Sequence, residues 1–137
     1  MRKINKIILH CTATKEGKDY TVAQIRDWHV NGNGWKDIGY HFVIYRDGSV
    51  HTGRDIATIG AHCAGQNADS IGVVYVGGLD AAGKPKDTRT AAQKTALRQL
   101  VDKLCRQYGI SRQKVYGHNE FANKGCPCFD VKKEFRA

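Results

Sequence analysis

His10, His118 and Cys126 have the residue types and positions that could do chemistry. His10 closes the apolar, β-branched segment Lys6-Ile7-Ile8-Leu9-His10-Cys11, which reads as a strand. His118 stands just past the short strand signal Val115-Tyr116, and Cys126 follows eight positions later beside Pro127. Strand ends and loops are where a rigid scaffold presents reactive groups. Imidazole nitrogen and thiolate sulfur are the donors that zinc prefers, and three protein donors plus a water mark a catalytic rather than a structural site. Such an ion lowers the pKa of its water to about 7 and polarises a substrate carbonyl. The chain has six histidines and five cysteines, with no HExxH and no CxxC pair. Spacing alone therefore leaves the ligand set open, and a free cysteine is as readily a small apolar core residue.

The elements that would position these residues can be read in outline. Thr21 with Gln24, and Thr90 with Gln93, are capping-box patterns that open helices. The first helix carries Val22, Ile25 and Trp28 at helical spacing and ends near Asn31-Gly32-Asn33-Gly34. The second carries Leu97, Leu100, Val101, Leu104, Cys105 and Tyr108 as one stripe, with Gly109 as its stop. Tyr40 to Arg46 alternates, which puts Tyr40, Phe42 and Ile44 on one face and His41, Val43 and Tyr45 on the other. Asp47-Gly48 turns the chain into the return strand Ser49–Thr52. Ile71–Val76 is continuously apolar, as a central buried strand is. The stretches after Cys11 and around Lys84-Pro85 read as loops, and Asp130–Phe135 as a last helical turn. The order β-α-β-β-β-α-β-(α) predicts an α/β (mixed α+β) fold: a central mixed sheet of about five strands flanked by helices.

Composition narrows the class. A chain of 137 residues is the size of one domain and buries a real core without disulfides. Five cysteines, an odd number, argue against a complete disulfide framework. No apolar run approaches the roughly 20 residues of a membrane span, so no membrane insertion is expected. The basic N-terminal residues lack the ~7–15 apolar residues of a secretory leader, so the expectation is synthesis in the cytoplasm. The net charge of +9 predicts attraction to polyanions, whether nucleic acid, anionic membrane or cell-wall polymer. No aromatic RNP stripe, zinc finger or recognition helix is present, so nucleic acid is not expected as the main partner.

The sequence resembles the zinc N-acetylmuramoyl-L-alanine amidases of the bacteriophage T7 lysozyme type, within the amidase-2 and peptidoglycan-recognition-protein family. The segments that carry the resemblance are Ile8-Leu9-His10-Cys11-Thr12-Ala13-Thr14, Gly34 to Ile44, Arg46-Asp47-Gly48, Gly60-Ala61-His62, Asn67, Ser70 to Val73 and Val76-Gly77-Gly78. Gly117-His118-Asn119-Glu120, Lys124-Gly125-Cys126-Pro127 and Phe129-Asp130 complete them. The likeness runs from Lys6 to Lys133. It implies one catalytic amidase domain over residues 1–137 that cuts the amide between the lactyl group of N-acetylmuramic acid and the L-alanine of the stem peptide in bacterial peptidoglycan. It implies one zinc ion held by His10, His118, Cys126 and a water, with Tyr40 and Lys124 as catalytic residues. It places His62 near the substrate cleft, with Trp35 and Asn67 as further substrate contacts.

Amide hydrolysis needs an activated water, stabilisation of the oxyanion and a proton for the leaving amine. A lysine beside zinc serves the second need. Either Tyr40 or Lys124 can carry the proton, and the sequence does not choose between them. Glu120 is read as a partner behind a ligand or as an ion-pair residue. His41 is read as structural, His51 as exposed, His29 as partly buried and Cys105 as core. Cys128 and Cys63 depart from the family's usual residues and are read as packing. The alternative function is a muropeptide-binding module that does not cut. Such members of the family typically lack the cysteine ligand, and Cys126 favours the enzyme. The expected partner is bacterial peptidoglycan, reached after release or delivery, by a monomer.

Overall fold

The chain alternates short parallel strands with helices, and a computed structural model describes all of residues 1–137. Strands β1 (Lys6–Cys11), β3 (Phe42–Ile44), β4 (Val50–Thr52), β5 (Ser70–Tyr75) and β7 (Val115–Gly117) form one sheet in the order β4-β3-β5-β1-β7. β5 is parallel to both β1 and β3, β7 is parallel to β1, and β4 alone runs antiparallel, after the Asp47-Gly48 turn. The expected mixed sheet with a central apolar strand is therefore present. A second ribbon pairs β2 (Thr14–Lys15) with β6 (Gly78–Leu79). The β2 segment reads as loop in sequence, because two residues are too few to show a period.

Alternation along β1 decides what lies where. Ile7, Leu9 and Cys11 face helix α2 (Ala91–Tyr108) and join its Leu97, Leu100, Val101 and Leu104 in the main core. Each such buried side chain contributes roughly 2 kcal/mol. Ile8 and His10 project from the opposite face, where Ile25 of α1 (Val22–Asp27) and Ile38 of the following loop pack with Val43, Val74 and Val76. A buried polar residue on an otherwise apolar strand is thus turned toward the smaller layer.

Both capping boxes form. The Gln24 and Gln93 backbone N–H groups donate to Thr21 and Thr90 Oγ1 at 3.2 and 3.0 Å, and each glutamine side chain returns the bond to the cap's N–H. Gly109 ends α2 at φ 63°, a conformation open to glycine. The buried Gln93 amide also donates to the carbonyls of Ile44 and Val76, tying α2 to two strand ends.

Four expectations are corrected. Tyr40 does not share a face with Phe42 and Ile44; it packs with Val43. The strand begins only at Phe42, so the alternation does not extend back to Tyr40. Regular helix in α1 stops at Asp27 and a wider π turn carries Trp28–Gly32, leaving Trp28 39% exposed rather than on a buried stripe. Cys105 is half-buried at the margin of the core, and His51 is half-buried because its ring stacks on Tyr45 at 3.7 Å. No helix is long and apolar enough to cross a membrane.

Candidate metal centre and cleft

His10 reaches the site from the end of β1, and His118 from the turn that follows the parallel neighbour β7. The carboxyl ends of parallel strands are the usual place for a ligand crevice. His10 Nδ1 and His118 Nδ1 lie 3.2 Å apart. Cys126 arrives on a loop from the far end of the chain, and the Cys11 backbone N–H donates to its Sγ at 3.1 Å. The Tyr75 hydroxyl anchors this loop by donating to the Pro127 carbonyl at 2.7 Å. One donor atom from each of His10, His118 and Cys126 lies within 4.8 Å of the others.

This donor set fits a small tetrahedral cation. Zinc–nitrogen bonds of about 2.0–2.1 Å place two donors about 3.3 Å apart along a tetrahedral edge, close to the observed imidazole separation. Burial, together with His62, His118 and Lys124, pushes the His10 pKa well below its ordinary value. Burial and Lys124 likewise lower His118. Both rings are therefore neutral at pH 7, with lone pairs available. The side-chain contact between the two thiols lowers Cys126, helped by the Cys11 backbone N–H, and the same thiol–thiol contact with burial raises Cys11 and keeps it protonated. One sulfur is prepared as a thiolate and its neighbour is not.

Tyr40 is half-buried, its ring centroid 5.2 Å from that of His10 and 5.5 Å from that of His29. Burial raises its hydroxyl pKa, so it stays protonated and able to donate. Lys124 is exposed, forms no ion pair, and is near enough to lower the pKa of all three donor residues. A cleft of about 450 Å³ opens beside these groups, lined by Trp35, His62, Asn67, His118, Phe121 and Lys124 among others. Trp35, His62 and Asn67, the expected substrate contacts, thus share one wall system with Lys124.

Their polar atoms are turned elsewhere, however. His62 is 8% exposed, its Nδ1 is 2.9 Å from His10 Nε2 and its Nε2 is 3.2 Å from Ser70 Oγ. Asn67 Oδ1 accepts the backbone N–H groups of His62 and Cys63, fixing the loop that carries His62. Trp35 is 38% exposed and leans on His29 at 4.7 Å between centroids, offering an apolar surface. His41 is structural as expected: its Nδ1 accepts from the Gly72 N–H and its Nε2–H donates to the Thr58 carbonyl. Of the two roles foreseen for Glu120 the ion pair forms, and its other contact is to backbone rather than to the His118 ring. It accepts the Gly117 N–H at 2.7 Å beside His118 and pairs with Arg136. Cys128 points its Sγ at the Gly78 carbonyl, and burial pushes its pKa up to about 12.

Sequence reasoning missed Phe121, Ser70 and Arg89. Phe121 is a 37% exposed aromatic at the cleft rim, and its exposure was the absent signal. Arg89 has a side chain only 2% exposed, bonded to Asp87 and Glu134 and lying 3.5 Å over the Phe129 ring in the Cys126 loop region. Nothing local in the sequence marks it.

Two neutral imidazoles and a thiolate-prone sulfur, beside an open cleft at the ends of parallel strands, make a group that could hold one metal ion and leave room for a reactant. The family model of the N-acetylmuramoyl-L-alanine amidases (Amidase_2) matches residues 1–129, and the chain belongs to that family. It is 45% identical over 132 residues to the endolysin of Klebsiella phage KP32, covering 96% of this chain and 85% of the relative. It is also 45% identical over 127 residues to the endolysin of Escherichia phage T7, covering 93% and 82%. The solved N-acetylmuramoyl-L-alanine amidase LysC from Clostridium intestinale URNW superposes with a TM-score of 0.80 at 26% identity, over 99% of this chain and 87% of that one.

Proposed function

We propose that this protein is a zinc-dependent N-acetylmuramoyl-L-alanine amidase that hydrolyses the amide between the lactyl group of muramic acid and L-alanine in bacterial peptidoglycan. The observation that carries the reading is the convergence of His10, His118 and Cys126 within 4.8 Å, in a chain that matches the amidase family over residues 1–129.

His10 and His118 would hold zinc through nitrogen, and Cys126 through its thiolate. Zinc in such a site supplies a Lewis acid and brings the pKa of water near 7. The Lys124 ammonium, free of any carboxylate partner, faces the same cleft and stabilises the oxyanion as the carbonyl carbon becomes tetrahedral. The Tyr40 hydroxyl, held protonated by burial, orients the attacking water or donates toward the amide. Trp35 and Phe121 supply apolar walls for sugar and peptide. The +9 charge concentrates the protein on anionic wall material.

The test is digestion of purified peptidoglycan with and without a zinc chelator. New alanine amino termini without new reducing ends, abolished by the chelator, support the reading. Reducing ends in place of alanine termini, or release indifferent to the chelator, contradict it.

A further inference from the structure

The donor geometry of His10 extends inward to two residues with no role in the chemistry described above. Behind His10 lies His62 at 2.9 Å, and behind His62 lies Ser70 Oγ at 3.2 Å. Ser70 is fully buried and its hydroxyl has no other partner among the side-chain hydrogen bonds, so the row ends there.

The surrounding backbone is shaped to hold the His62 ring. β5 is a run of apolar, largely β-branched residues interrupted by Gly72. A Cβ built at Gly72 would lie 2.5 Å from His62 Cδ2 and 2.6 Å from Cγ, closer than such atoms approach. One at Gly60 would lie 2.7 Å from the same ring. A glycine inside a strand weakens the strand and commonly marks a close approach by another group. Here two glycines clear space for one imidazole. Asn67 then fixes the His62 backbone from the other side.

The distances permit two proton directions along the row. Ser70 could donate to His62 and His62 to His10, which leaves the His10 proton on Nδ1, facing His118. In the opposite direction His10 Nε2–H donates to His62 Nδ1, and His62 Nε2–H donates to Ser70 Oγ. Only the second leaves the His10 Nδ1 lone pair directed at His118 and Cys126.

Building on the proposed zinc site, we propose that His62, backed by Ser70, is a positioning residue that locks His10 as its Nε2–H tautomer and so readies Nδ1 as a metal donor. The His118 ring has no comparable partner, and its Nδ1 contact is to His10. The effect is therefore confined to one ligand of the three. Partners behind a metal-bound histidine typically change metal affinity by about 10–100-fold.

The experiment measures zinc affinity by chelator competition, together with the His10 tautomer from ring-nitrogen NMR of the metal-free chain. His62→Ala should weaken zinc by about 10–100-fold and leave the His10 proton distributed over both nitrogens. His62→Asn places an amide oxygen where Nδ1 stood, and should restore both the affinity and the Nε2–H tautomer. Ser70→Ala, a smaller change, should weaken zinc in the same direction. Unchanged affinity and tautomer in a folded His62→Ala protein, with only turnover reduced, would overturn the proposal and make His62 a substrate contact. A wild-type His10 protonated on Nδ1 would also overturn it. Wild-type protein that takes up no zinc would instead overturn the metal reading itself, before any variant is made.

Discussion

His10 Nδ1 and His118 Nδ1 lie 3.2 Å apart although 108 residues separate them in the chain. Parallel pairing of β1 with β7 produces this proximity, since Leu9 is level with Gly117 and each histidine is the next residue. The site is thus a product of strand register, and its properties follow from what surrounds two adjacent strand ends.

Tyr40 and Lys124 should separate chemistry from metal binding. Tyr40→Phe and Lys124→Ala remove groups that lie beside the donors without being donors. Each should retain zinc in metal analysis and lose about 10²-fold or more in turnover on peptidoglycan, the usual scale for removing one oxyanion-stabilising group. Loss of zinc from either variant would contradict these roles.

Acid should destabilise the metal-free protein through its buried histidines. Burial lowers His41 to about 4 and His62 to about 3, from 6.5 in the unfolded chain. Between those values the unfolded chain binds more protons than the folded one. The stability these rings contribute is complete above pH 6.5 and is lost as pH falls toward 4 and then 3. His41 alone corresponds to about 3 kcal/mol across its window. Urea midpoints of chelator-treated protein should drop between neutral pH and the His41 value, and His41→Asn should flatten that drop. A flat wild-type profile would contradict the assignment.

Arg89→Ala should be costly well away from the cleft. It removes a buried guanidinium from Asp87 and Glu134 and uncovers Phe129. Leaving the two half-buried carboxylates without their cation should cost about 3 kcal/mol in urea unfolding. Arg89→Lys should recover only part of this, since one ammonium cannot replace a planar fork on two acids. An unchanged midpoint would show that the cluster is replaceable by water.

Gly72→Ala should act through His62. The added methyl has no room beside that ring, so the imidazole or the strand must shift. Both the melting temperature and zinc affinity should fall. A variant that melts lower but binds zinc as well as wild type would separate packing from ligand positioning.

The order and type of the main elements were legible because their signals are local. Thr21 with Gln24 and Thr90 with Gln93 each announce a helix within four residues, and Ile71–Val76 announces a buried strand. The proposed metal donors were legible by resemblance, since only the fold brings positions 10, 118 and 126 together. The face of Tyr40 was not, because alternation holds only inside a strand and this strand starts two residues later. The His62–Ser70 contact and the Arg89 cluster depend on packing between segments, which leaves no periodic trace in the sequence.

The most direct test compares wild type with Cys126→Ala, measuring zinc content and alanine-terminus release from peptidoglycan in the same samples. The account predicts one zinc per chain with release in the wild type, and neither in the variant. Release by a metal-free Cys126→Ala protein would contradict it.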